Sequence, residues 1–177
     1  MEISLRPLKE TDAPLMLEWM RDERVTVHYR KDFSVMTLEN VRAFIVGSFN
    51  AKNRHFAVVN ATDEYLGTIS LKNINAVDAN AEYAIVIRGK MHCQGVGAKA
   101  TYLILKYAFE ELKLHRVYLN VLRNNQAAEK MYIKCGFIYE GTFREHIRTA
   151  SGYHDLAWYG LTEDDFYKRY YCDNEVR

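Results

Sequence analysis

Two stretches carry the residues best suited to chemistry: Met91 to Ala100, MHCQGVGAKA, and Arg123 to Phe137, RNNQAAEKMYIKCGF. In the first, Gly95 and Gly97 fall where a β-branched apolar run gives way to a helical pattern. Glycine permits close backbone approach and unusual dihedrals. The N–H groups of Gln94, Gly95, Val96, Gly97 and Ala98 can therefore converge on an anion at the positive end of a helix. Such a loop seats a pyrophosphate. A dinucleotide turn is formally matched by Gly95-x-Gly97-x-x-Ala100, but Arg88 to Gln94 separate it from its strand. The next strand also ends in Leu122 to Asn125 without an acid. A nucleoside triphosphate loop needs Gly-Lys-Ser or Gly-Lys-Thr, and Gly97 is followed by Ala98. A glycine-rich helix start with no ligand is equally open on this segment alone.

The second stretch narrows the choice. Asn125, Ala128, Tyr132, Gly136 and Phe137 follow the pattern Asn, two residues, Ala or Ser, three residues, Tyr, three residues, Gly-Phe. Together with the glycine loop, the AEYAIVI run before it and the YAFEELKLHRV run after it, this resembles the GNAT superfamily of N-acetyltransferases. Its ribosomal-protein alanine and spermidine acetyltransferase branch is the nearest likeness. The resemblance covers nearly the whole chain.

That resemblance implies transfer of an acetyl group from acetyl-CoA to a primary amine of a polyamine, an amino sugar or a protein N-terminus. Transfer would go by direct attack in a ternary complex. The cofactor would lie on the Gln94 to Ala98 amides, with Asn125 and Ala128 beside it. Tyr132 would sit near the sulfur as general acid for the departing thiolate. Glu82 would take the amine proton through water, with His28, His146 and His154 as alternatives. A backbone N–H among Ile85, Val86 and Ile87 would meet the oxyanion where a bulge splays that strand from its neighbour. His92 stands where the family usually has Arg or Gln, and the Gln here is Gln94. The acceptor would lie along Trp19 to Phe33 and the last two strands, with Trp19, His28 and Tyr29 as its contacts. Arg21, Arg24, Arg30 and Lys31 suit an anionic substrate portion, and Asp22, Glu23 and Glu39 a polyamine. A homodimer is also implied. The rival readings are a non-catalytic acyl-CoA sensor and a nicotinamide-dependent enzyme.

The bulk properties agree with such a protein. A chain of 177 residues with 49% hydrophobic and 27% charged residues has the size and composition of one globular domain, residues 1–177. A formal net charge of +1 gives no field for a polyanion such as nucleic acid. No apolar run reaches the roughly 18 residues of a membrane helix, which predicts a cytoplasmic protein. Cys93, Cys135 and Cys172 are odd in number and lack a C-x-x-C pair, so neither disulfides nor a metal site is expected.

Periodicity then supplies the elements that must hold these residues. Alternation predicts strands at Glu2 to Leu8, His55 to Val59, Leu66 to Ile74, Ala81 to Ile87, Arg116 to Leu122, Phe137 to Ile147 and His154 to Leu161. Spacing of three and four predicts a helix from Thr11 or Asp12 through Met20. It predicts another from Thr37 with Val41, Phe44, Ile45 and Phe49 inward, and further ones at Gly97 to Leu112 and Gln126 to Lys134. Glu163 to Tyr171 reads as a terminal helical turn and Arg21 to Ser34 as loop. The expected fold is a mixed α/β structure of GNAT type: a mostly antiparallel twisted sheet of about seven strands with helices on both faces.

Overall fold

The computed structural model describes residues 1–29, 32–149 and 151–172. Arg30 and Lys31, considered above as anion contacts, lie outside the described residues. The strands are β1 (Ile3–Pro7), β2 (Arg54–Asn60), β3 (Tyr65–Asn75), β4 (Asn80–Ile87), β5 (Arg116–Leu122), β6 (Ile138–Thr149) and β7 (Gly152–Thr162). The helices are α1 (Ala13–Met20), α2 (Glu23–Thr26), α3 (Leu38–Val46), α4 (Val96–Lys106), α5 (Gln126–Lys134) and α6 (Glu163–Tyr167). All seven strands form one sheet in the order β1-β2-β3-β4-β5-β7-β6. Every pairing is antiparallel except that of β4 with β5. Pro7, which lacks an N–H, ends the edge strand β1, where a missing donor costs little.

Helices cover both faces. On one, Ala100, Ile104 and Leu105 of α4 pack against Leu71, Tyr83, Val117, Leu119, Tyr159 and Leu161. Burying a side chain such as Leu105 fully contributes about 1.5–3 kcal/mol. On the other face, Ala13, Met16, Trp19 and Met20 of α1 and Val41 of α3 close over Ala57, Val59 and Tyr65. A third cluster, Leu122, Ile147, Leu156 and Trp158, comes from β5, β6 and β7 alone. Among the described residues no helix is long and apolar enough to cross a membrane.

Three expectations need correction. The Arg21 to Ser34 loop contains α2, started by the Asp22 side chain accepting from the Arg24 N–H at 3.1 Å. Four residues are too few to show a helical period. Phe44 and Phe49 are only partly covered: they are 38% and 48% exposed, resting edge-on against His55 and Phe56, and Phe49 lies beyond α3, which ends at Val46. The bulge expected at Ile85 to Ile87 is absent, since β4 keeps an unbroken register with β3 from Lys72↔Glu82 to Gly67↔Ile87. The β3–β4 irregularity falls instead between Lys72 and Asn75, where Asn73 has φ 51°.

Candidate active site

The sheet opens without a bulge because β4 and β5 pair only through Asn80↔Arg116, Ala81↔Val117 and Glu82↔Tyr118. Beyond Glu82 the two strands part. The Arg88 N–H bonds to the Leu66 carbonyl at 2.9 Å, which fixes the phase of the β3–β4 ladder. In that phase the main-chain groups of Ala84 and Val86 face β3, and those of Ile85 and Ile87 face the opening. Two side chains confirm the direction: the Tyr29 hydroxyl donates to the Ile85 carbonyl at 3.0 Å, and His92 Nε2 lies 2.9 Å from the Ile87 carbonyl.

The glycine loop stands at the same end of the sheet. Gly95 begins α4 with φ 75°, a left-handed conformation, and nothing lies within 4 Å of where its β-carbon would be. The helical ladder starts with Lys99 N–H on the Gly95 carbonyl at 3.2 Å, so Val96, Gly97 and Ala98 present amides with no helical acceptor. These point out of the first turn of an eleven-residue helix. A β-carbon on Gly97 would stand 3.3 Å from Met131 Sδ and 4.0 Å from Ile87 Cγ1. The glycine thus lets the start of α4 approach α5 and β4 closely. The Gln94 side chain is spent within the loop, donating to the Lys90 carbonyl at 2.8 Å.

Tyr132, on α5, closes the opening from the side of α4. Its ring meets Tyr83 of β4 edge-on at 5.8 Å and Phe137 at 6.1 Å, and it is only 8% exposed. Burial holds its phenol well above the usual tyrosine range, with the nearby Tyr29 hydroxyl adding to the effect. Such a phenol stays protonated through neutral pH and is equipped to donate. Asn125 caps α5 by accepting from the Ala128 N–H at 3.2 Å, which uses its carbonyl oxygen and leaves its Nδ2 for another partner. On the opposite side, Trp19, Tyr29 and Phe33 form an aromatic cluster with centroids 5.3 to 6.4 Å apart. Trp19 is fixed there by its indole N–H donating to the Tyr65 hydroxyl at 3.0 Å.

Residues 2–138 match the family model of the acetyltransferase (GNAT) domain. The chain belongs to the GNAT acetyltransferase family. It is 29% identical over 116 residues to a spermidine N(1)-acetyltransferase of Vibrio cholerae, covering 66% of this chain and 67% of that one. It is 31% identical over 100 residues to the putative ribosomal N-acetyltransferase YdaF of Bacillus subtilis, covering 56% and 55%. The fold is shared with the crystal structure of spermidine N-acetyltransferase from Vibrio cholerae in complex with CoA and spermine. That match has a TM-score of 0.85 at 22% identity, over 93% of this chain and 97% of that one. A dodecameric structure of the same Vibrio enzyme has a TM-score of 0.79 at 24% identity, over 95% of this chain and 98% of that one. This GNAT protein is an N-acetyltransferase.

Within the GNAT fold the residues expected from sequence fall into two groups. Ile85, Ile87, His92, Gly95 to Ala98, Asn125, Ala128, Tyr132 and Tyr29 surround the parted strands or the start of the two helices behind them. Val86 packs instead with the α1 and α3 cluster. Glu82 sits at the last paired register, its carboxylate accepting from Lys72 Nζ at 2.7 Å and Asn73 Nδ2 at 2.9 Å. Arg24 is taken up by Asp22, at 2.8 and 2.9 Å. His154 is held by Thr149 and Ser151 at the β6–β7 turn, and His146 lies against the Phe143 ring. His28 Nδ1 is buried without a hydrogen-bond partner among the described residues. The strand-built face beyond Glu82 is lined by Tyr118, Asn120 and Trp158: Trp158 belongs to the last two strands expected at the acceptor, whereas Tyr118 and Asn120 of β5 were not expected there. Their only signal was a polar or aromatic residue at alternate positions of β5.

Proposed function

We propose that this protein transfers the acetyl group of acetyl-CoA to a primary amine by direct attack. What supports the reading is one conjunction: unpaired amides at the start of α4, the main chain of Ile85 and Ile87 turned into the β4–β5 opening, and the buried phenol of Tyr132 beside it. The amides of Val96, Gly97 and Ala98 hold the pyrophosphate. The pantetheine arm enters the opening, where its amides meet the groups that Tyr29 and His92 occupy.

The neutral amine attacks the thioester carbonyl carbon, a C–N bond forms, and the carbonyl oxygen becomes an oxyanion facing an N–H of Ile85 or Ile87. Collapse breaks the C–S bond, and the Tyr132 hydroxyl gives its proton to the departing thiolate. Glu82 takes the proton lost by the amine through water, and solvent restores both groups. No cysteine carries the acetyl group. The relatives named for spermidine make a polyamine one candidate acceptor, beside amino sugars and protein N-termini. A cytoplasmic location and self-association at least to a homodimer complete the reading.

The test is release of free thiol from acetyl-CoA across a panel of amines, with product mass confirming the acetylated amine. Amine-dependent release is expected from wild type and is reduced at least tenfold in Tyr132→Phe. Tight CoA binding with no release from any amine class would instead make the protein an acyl-CoA sensor.

A further inference from the structure

Three unpartnered polar side chains gather on the sheet face opposite α4 and α5. Tyr118 is the last residue of β5 paired with β4, and Asn120, two residues on, shares its face just past the point where the strands part. Asn120 is in direct register with Trp158 of β7. The Tyr118 and Trp158 rings lie 6.1 Å apart at 31°, and Phe143 of β6 lies 5.3 Å from the indole. Trp158 Nε1 is buried with no acceptor among the described residues. Neither the Tyr118 hydroxyl nor the Asn120 carboxamide makes a hydrogen bond among the described residues. Gly141, the register partner of Trp158 on β6, has nothing within 4 Å of its β-carbon position, so space is open beside the indole. Phe143, beside the indole, is 52% exposed.

A buried N–H without an acceptor costs about 1–3 kcal/mol, and native structures seldom leave one unexplained. A ligand oxygen would satisfy it. A polyamine has no oxygen to offer, only protonated amines and methylenes. The carboxylate nearest by register, Glu82, is already shared between Lys72 and Asn73. A hydroxylated ring fits better. Its oxygens accept from the Trp158 N–H and from Asn120 Nδ2, its hydroxyls donate to Asn120 Oδ1, and its C–H face lies against the Tyr118 and Trp158 rings. Resting on the acetyltransferase reading above, we propose that the acceptor is an amino sugar. It is seated on Tyr118, Asn120 and Trp158 so that its amine reaches the opening between β4 and β5.

The experiment offers the full chain and acetyl-CoA a free amino sugar (glucosamine), a nucleotide-linked amino sugar and spermidine. It follows thiol release for wild type, Trp158→Phe and Asn120→Ala. The expected result is turnover with one of the two sugars, and the arm that reacts tells whether the nucleotide is part of the substrate. Each variant should raise KM for that sugar about tenfold, with a smaller change in kcat and an unchanged Kd for CoA, which also reports that the variant is folded. Turnover of spermidine with neither sugar accepted overturns the proposal and leaves the acetyltransferase reading standing. So does a sugar KM that both folded variants leave unchanged. No release with any amine overturns both.

Discussion

The Tyr29 hydroxyl donates to the Ile85 carbonyl at 3.0 Å, joining the segment after α2 to the part of β4 whose main chain faces the opening. Burial pushes this phenol up to about 12, so it remains a donor throughout the working range. It holds a main-chain acceptor that the pantetheine arm would use in the proposed complex. Tyr29→Phe removes the competitor and keeps the ring in its cluster with Trp19 and Phe33. A neutral hydrogen bond contributes about 0.5–1.5 kcal/mol, so CoA should bind roughly two- to tenfold more tightly by calorimetry. Weaker binding would show that the hydroxyl assists the cofactor.

Tyr132→Phe should lower kcat by about 10²–10⁴-fold while the Kd for CoA changes little, since only the acid is removed. The pH profile gives an independent check. Burial raises the Tyr132 pKa, so the protonated, active form persists above the ordinary tyrosine value of about 10. The alkaline limb of kcat should therefore lie above about pH 10. A limb near pH 8 that disappears in Tyr132→Phe would contradict the burial argument.

Gly97→Val should damage both stability and cofactor binding. The added carbon begins 3.3 Å from Met131 Sδ, and a branched side chain must push the first turn of α4 away from α5. Overpacking of this kind costs about 1–3 kcal/mol. The displaced amides should weaken CoA at least tenfold. A variant of normal melting temperature and normal CoA affinity would show that the close approach is dispensable.

His55 sets a pH dependence of stability rather than of rate. Burial lowers its pKa, and the charge of Lys72 lowers it further, while Nδ1 stays 2.7 Å from Ser70 Oγ. The unfolded imidazole takes up a proton near pH 6.5, before the folded one does. Its contribution is thus complete above about pH 6.5 and is lost as pH falls through the lower folded value. Melting temperatures from pH 7 to 5 should decline less steeply in His55→Gln than in wild type. Parallel curves would assign the acid sensitivity to other groups.

Much of the fold was legible in the sequence because the long elements carry residue types and spacings that mark strand or helix without knowledge of their partners. The β-branched alternation of β2 to β4 and the three-and-four spacing of α4 survive without knowledge of partners. What failed was short or depended on context. α2 is a four-residue helix begun by one side-chain cap, and Phe49 continues a helical spacing past the end of its helix. The expected bulge in β4 is replaced by an early end to its pairing with β5, a relation between residues more than thirty positions apart.

The same division runs through the site. The sequence alone determined the local geometry of the proposed cofactor seat, because the left-handed Gly95, the free amides of Val96 to Ala98 and the Asn125 cap depend on contiguous residues and local hydrogen bonds. It also marked Tyr132, at a fixed spacing from that cap. On the proposed acceptor side the sequence marked Trp19, His28 and Tyr29 and the last two strands, but which side chains meet there was decided only by the tertiary structure. Trp19, Tyr29, Tyr118, Asn120 and Trp158 come from distant segments and share a neighbourhood only through strand order, register and the parting of β4 from β5. Which side chains face one another there, and which lack partners, follows from long-range pairing, a property that no single segment carries.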